Sequence, residues 1–178
     1  MRGRDFSLTP FGGENESHLK IKGRIERASH NCFISYELFG ALSGIVVPAP
    51  AEVPERKDRL WEETCFELFI RPEDSERYWE FNLSPAGHWN VYRFAYYREG
   101  MEEEMVFNSL PFNIESEPEA LRLSLLLDLK KIVPADQALN IAVSAVIKTK
   151  DGRLTYWALT HPGPGPDFHK KESFILSL

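Results

Sequence analysis

Apolar positions along this chain recur mostly at every second residue, and Gly, Pro, Asn and Asp punctuate the alternating runs. Side chains of an extended strand point alternately to its two faces, so this period predicts strands rather than helices. "HLKIKGRIERA" (18–28) sets Leu19, Ile21, Gly23 and Ile25 on one face and Lys20, Lys22, Arg24 and Glu26 on the other. After Ser29-His30-Asn31, "CFISYELFG" (32–40) alternates again, which predicts a hairpin. "GIVVP" predicts a short strand ending at Pro48, and the proline- and charge-rich 49–60 an exposed loop. "TCFELFI" (64–70), "RYWEFNLS" (77–84) and "HWNVYRFAYYR" (88–98) predict a three-strand meander.

Residues 99–118 are acidic and irregular, with an extended piece near Phe107 to Ile114 that Pro111 limits to a sheet edge. "ALRLSLLLDL" (120–129) places Leu121, Leu123, Leu125, Leu127 and Leu129 on one face, and Leu126 on the other predicts cover on both sides. "DLKKIVP" suits a single helical turn. "LNIAVSAVIKT" (139–149), Asp151-Gly152 and "RLTYWALTH" (153–161) read as a second hairpin, and "FILSL" as a last strand. About nine or ten strands at this spacing predict an all-β fold, a two-sheet antiparallel β-sandwich, immunoglobulin-like or jelly-roll-like. With no repeat and no linker, residues 1–178 read as one domain.

Within the meander, Phe66, Leu68, Ile70, Trp79, Phe81 and Leu83 form an inward set. The reverse face mixes Glu67, Glu80 and Asn82 with Phe69, Tyr78 and Tyr92. Flat rings beside carboxylates and an amide are the chemistry a sugar selects, through its C–H face and its hydroxyls. The competing reading covers these rings with residues 99–118 as a second small core and pairs the acids with Arg71, Arg93 or Arg98. Trp61, Trp89 and Trp157 each stand near a strand end; Trp157 reads as core, Trp61 as rim, and Trp89 as either. His161, Asp167 and His169 are spaced H-x5-D-x-H, a weak pattern for a metal that a rigid Pro- and Gly-rich loop explains as well. Glu67 and Glu80 on adjacent strands also invite a glycosidase reading, which needs two carboxyls roughly 5–9 Å apart. No nucleophile elbow, phosphate loop or dinucleotide fingerprint accompanies them.

Composition narrows the partners. A net charge of −6 with no basic cluster argues against nucleic acid. No run approaches the ~20 apolar residues that span a bilayer. The N-terminus lacks the apolar core of a signal peptide, which predicts a cytoplasmic protein with Cys32 and Cys65 reduced. The two cysteines could still sit on neighbouring strands.

"LWEETCFELFI", "YWEFNLSPAGHWNVYRF", "DGRLTYWAL" and "PDFH" together resemble the DOMON-like β-sandwiches, a superfamily that includes carbohydrate-binding module family 9. The resemblance covers roughly residues 60–178 and is similar most of all to small bacterial DOMON-like proteins. It implies two sheets with a concave ligand face, where aromatic rings clamp a terminal sugar or a haem binds. By position, the residues it implicates are Trp61, Glu67, Glu80, Asn82, Trp89 and Trp157. Haem binding in the group uses Met and His ligands, for which Met101, Met105, His88 and His161 are the residues available here. The sequence thus reads as a non-catalytic module for a small saccharide or saccharide-like ligand held by Trp61, Glu67, Tyr78, Glu80, Asn82, Trp89, Tyr92 and Trp157. The alternatives are a haem- or metal-binding domain and a protein-interaction domain, the latter including a homodimer through an exposed strand edge.

Overall fold

The computed structural model describes residues 2–13 and 18–178; residue 1 and residues 14–17, part of the N-terminal stretch read above for a leader, lie outside the described residues. Alternation along the chain produces β1 (Arg2–Pro10), β2 (Lys20–Ala28), β3 (Asn31–Phe39), β4 (Cys65–Pro72), β5 (Tyr78–Leu83) and β6 (Trp89–Phe94). They are followed by β7 (Glu102–Glu103), β8 (Phe112–Glu117), β9 (Ala120–Asp128), β10 (Leu139–Lys148), β11 (Leu154–Ala158) and β12 (Leu176–Ser177). Helical structure among the described residues is confined to short 3-10 turns, one of them at Leu129–Lys131, where a helical turn was expected.

The first sheet runs β1-β2-β3-β9-β8 and the second β7-β6-β5-β4-β10-β11, with β12 beside β10. All ladders between these strands are antiparallel. The sheets are joined because β1 continues past its partner β2: Thr9 and Pro10 pair with Ala158 and Trp157 of β11. The strands therefore form one ribbon that curls over itself into a two-sheet sandwich. Between the layers, Ile21, Ile34, Leu121 and Leu125 of the first sheet share a buried cluster with Phe66, Leu68, Phe81 and Val143 of the second. Close approach is built in at Gly23, where a Cβ would lie 2.0 Å from the Ser35 carbonyl oxygen and 2.5 Å from the Phe6 ring.

Several expectations change. β1 was not anticipated, because its nine residues offer only Phe6 and Leu8 as buried apolar alternation. "GIVVP" forms no strand: a single bridge joins Ile45 to Thr149 before Pro48 ends the donors. Leu126 is 64% exposed, since no layer covers the outer face of β9. Of the extended piece expected near Phe107 to Ile114, the part after Pro111 lies in β8 at the sheet edge, while Phe107 and Leu110 enter the core. Cys32 and Cys65 lie on β3 and β4, in different sheets, and both are buried free thiols. Residues 99–118 do not roof the outer face of the meander, although Met101 and Glu103 reach its edge. The segment turns into the inter-sheet core, where Phe107 meets the Phe81 ring edge-on at 5.5 Å and Glu104 accepts the Trp79 indole N–H at 3.0 Å. Among the described residues no helix is long and apolar enough to cross a membrane.

A candidate ligand pocket on the outer face of the second sheet

Strand alternation carries Glu67 and Phe69 of β4, Tyr78, Glu80 and Asn82 of β5, and Asn90, Tyr92 and Phe94 of β6 to the face away from the main core. That face is not open to water as a whole. Phe69, Tyr78, Tyr92 and Phe94 join Phe168 and Phe174 in a second buried cluster, with Trp61 packed against it. The cover comes from the C-terminal segment and from the 3-10 turn Leu60–Glu62 before β4. Sequence alternation cannot show this, because the covering residues belong to irregular chain.

A cavity of about 390 Å³ remains within this cover. Glu67 and Glu80 line it, together with Trp61, Phe94, Arg98, Tyr156, Phe168 and His169. Glu67 pairs in register with Asn82, and Phe69 with Glu80, so the two acids are diagonal neighbours across β4 and β5. Glu67 is 2% exposed and Glu80 5%. Each has one hydrogen-bond donor: Ser144 gives its hydroxyl to Glu67 Oε2 at 2.7 Å, and Asn82 its amide to Glu80 Oε1 at 2.9 Å. Neither acid forms a salt bridge with Arg71, Arg93 or Arg98, the pairing of the competing reading. Arg93 goes to Glu102, and the Arg71 guanidinium sits 5.1 Å from the Phe174 ring centroid.

Burial raises the Glu67 carboxyl to about 8, with the neighbouring Glu80 charge adding to the rise. Burial likewise raises Glu80 to about 7, against the lowering effects of the Asn82 hydrogen bond and of Arg98. His169 is pushed down to about 4, chiefly by burial and then by Arg98. Its Nδ1 lies 2.8 Å from the Tyr78 hydroxyl, which also accepts the Arg98 backbone N–H at 3.2 Å. The other ring nitrogen, Nε2, lies 3.8 Å from Glu80 Oε2.

Arg98 is the pocket's cation. β6 stops at Phe94, four residues short of the predicted end, and Arg98 adopts a left-handed φ of 54° in the following turn. Asp167 holds the guanidinium at 3.0 Å and also accepts the Tyr97 hydroxyl and the His169 backbone N–H. Trp61 stands at the rim with its ring 5.6 Å from that of Tyr92, whose hydroxyl donates to Asp58 at 2.6 Å.

Trp61, Glu67 and Glu80 thus meet in the cavity, while Tyr78, Asn82 and Tyr92 stand directly behind it. Trp89 and Trp157 do not join them. Both lie on the opposite side of their strands, 4% and 3% exposed in the core between the sheets, because register turns them inward. The spaced trio also separates. His161 Nε2 is bonded to the Thr9 carbonyl, Asp167 to Arg98, and His169 to Tyr78. Among the described residues no group of three His, Cys, Asp or Glu is placed to hold a metal. The residues considered for haem do not converge either: Met101 is at the pocket, Met105 is 66% exposed, His88 accepts from the Glu55 N–H, and His161 lies by Thr9. Arg98, Tyr156 and Phe168 were missed as site residues. The positive-φ turn and the tail that carry two of them leave no periodic signal.

A broader hollow of about 560 Å³ lies on the outer face of the first sheet. Its charges are paired with one another, Lys22 with Glu37 at 2.9 Å and Arg24 with Asp5 at 2.8 Å.

No family model matches this sequence, and no curated protein matches it by sequence. Solved structures do match the fold. A protein from Bacteroides uniformis ATCC 8492, provisionally described as carbohydrate-binding, superposes with a TM-score of 0.70 at 15% identity, over 96% of this chain and 84% of the other. A carbohydrate-binding module of family 9 from Caldicellulosiruptor kristjanssonii, in complex with glucose, superposes with a TM-score of 0.50 at 10% identity, over 85% of this chain and 72% of the other. At these identities the likeness is one of fold: this chain has a fold related to that of family 9 modules.

Proposed function

We propose that this chain is a non-catalytic, DOMON-like binding module, one domain over residues 1–178, that receives a small saccharide or one end of a longer one in the pocket over Glu67 and Glu80. The observation that carries the reading is the cavity itself. It joins ring surface from Trp61, Phe94, Tyr156 and Phe168 to acceptors on Glu67 and Glu80 and to nitrogens on Arg98 and His169. A sugar presents apolar C–H faces and hydroxyls that both donate and accept, which is the complement of such a lining. The fold likeness to a family 9 module crystallised with glucose supports the same ligand class. Two buried, unpaired thiols in different sheets fit a reducing compartment, the cytoplasm.

The test is calorimetric titration with a panel of mono- and disaccharides, repeated on Trp61→Ala and Arg98→Ala. Both side chains line the cavity without anchoring the main core, so the variants should stay folded and lose the binding heat. A folded protein that gives no heat with any sugar of the panel refutes the proposal.

A further inference from the structure

The floor of the pocket holds two acids, and the nearest base, the His169 ring, stays beyond hydrogen-bond reach of them. Glu67 and Glu80 each spend one oxygen on a single neutral donor, Ser144 and Asn82. Among the described residues, Glu67 Oε1 accepts no hydrogen bond, and the one contact of Glu80 Oε2 is His169 Nε2 at 3.8 Å, beyond hydrogen-bond reach. Both side chains line the cavity while remaining almost wholly buried. Burying two acids together is costly unless a cation or protons compensate, and the guanidinium in the lining, Arg98, is bound to Asp167 at 3.0 Å and forms a salt bridge with neither acid.

From this geometry we infer that the pocket takes its ligand amine-first, with a protonated primary amine seated between Glu67 and Glu80 and the rest of the ligand against the surrounding rings. For an amino sugar this rests on the saccharide reading; for the ammonium alone it does not. Aromatic surface suits such a ligand, because ring faces attract cations, and Trp61, Tyr156, Phe94 and Phe168 reach the cavity from four different parts of the chain.

The other ionisable groups around the floor leave the acids as the responsive pair. His169 is kept neutral by its surroundings, and Tyr78 is pushed up to about 12 by burial. Cys65, at the β4 end of the floor, is held as a neutral thiol by burial. Asp167 and Arg98 offset each other, and Tyr156 and the exposed Glu62 stand at the wall and the rim. In the empty pocket the acids hold protons in place of a cation; an arriving ammonium displaces proton to solvent as it binds.

The experiment titrates D-glucosamine, D-glucose, N-acetyl-D-glucosamine and the sugar-free trans-2-aminocyclohexanol into the protein at pH 7, in phosphate and in HEPES. The heat difference between buffers reports protons released. D-glucosamine should bind about tenfold more tightly than D-glucose or its N-acetyl derivative, as charge-assisted hydrogen bonds exceed neutral ones. It should release proton, and Glu67→Gln/Glu80→Gln should erase the preference. Equal affinity for D-glucosamine and D-glucose, or binding without proton release, overturns the inference and leaves the saccharide reading standing. Binding of aminocyclohexanol with proton release, when none of the three sugars binds, supports the inference and removes the saccharide reading. Silence from all four ligands overturns both.

Discussion

Replacing Glu67 and Glu80 together by glutamine should stabilise the protein, and by an amount that grows with pH. Glutamine keeps the shape and one acceptor oxygen, so the hydroxyl of Ser144 and the amide of Asn82 retain their partner. A carboxyl whose native pKa lies above its unfolded one binds its proton more tightly when folded. Its contribution to stability is whole below the unfolded value of 4.5 and is lost as pH rises through the native values, about 7 for Glu80 and about 8 for Glu67. Each tenfold in proton affinity corresponds to ~1.4 kcal/mol. The charge of Glu80 is counted once, within the rise at Glu67, so the two rises add, and the pair should cost on the order of 6–8 kcal/mol at pH 9 relative to pH 4.5. His169 acts in the opposite sense: with a native value of about 4, its neutral burial costs stability as pH falls from 6.5. Neither carboxyl is a cause of that shift, so it cancels between parent and variant. Urea denaturation followed by tryptophan fluorescence, at intervals from pH 4.5 to 9, yields the difference directly. The variant's advantage should be small at pH 4.5, rise through pH 7 and level off above pH 8. A difference independent of pH, or a parent that gains on the variant as pH rises, refutes the reasoning.

Gly23→Ala should destabilise by about 3 kcal/mol in the same assay at fixed pH, because its Cβ meets a backbone oxygen at 2.0 Å and an inward ring that cannot both yield. Arg27→Ala should cost ~2–4 kcal/mol. Its guanidinium donates to the carbonyls of Pro134 and Ala135 at 3.0 and 2.9 Å, and hydrogen exchange should rise first around residues 134–138. Phe107→Ala should cost ~3–4 kcal/mol, measured by denaturation, by emptying the ring's place against Phe81; an effect below ~1 kcal/mol would show that residues 99–118 do not plug the core.

Much of the sandwich is readable from alternation because a strand buried on one face must repeat its apolar residues at period two. The hairpin of β2 and β3, the β4-β5-β6 meander and the β10-β11 hairpin all carry that signature over a strand's length. β1 does not, since most of its length is polar and its place is set by pairing with β2 and β11. The inward or outward choice at Trp89 was equally out of reach, as an aromatic residue suits either face of a strand. Register decided it, turning Trp89 into the core while its neighbours Asn90 and Tyr92 went to the opposite side.

The candidate site divides in the same way. Alternation alone determined that Tyr78, Glu80 and Asn82 would share one face of β5, because that follows from position within a single strand; register then set Glu67 of β4 and Tyr92 of β6 beside them. What covers this face was decided by the tertiary structure. Trp61 arrives from a 3-10 turn, Arg98 from a left-handed turn, and Phe168 and His169 from the irregular tail. Side-chain direction in a strand is local geometry, whereas the approach of an aperiodic segment to a strand 91 residues away, as of His169 to Tyr78, is fixed only when the whole chain has packed.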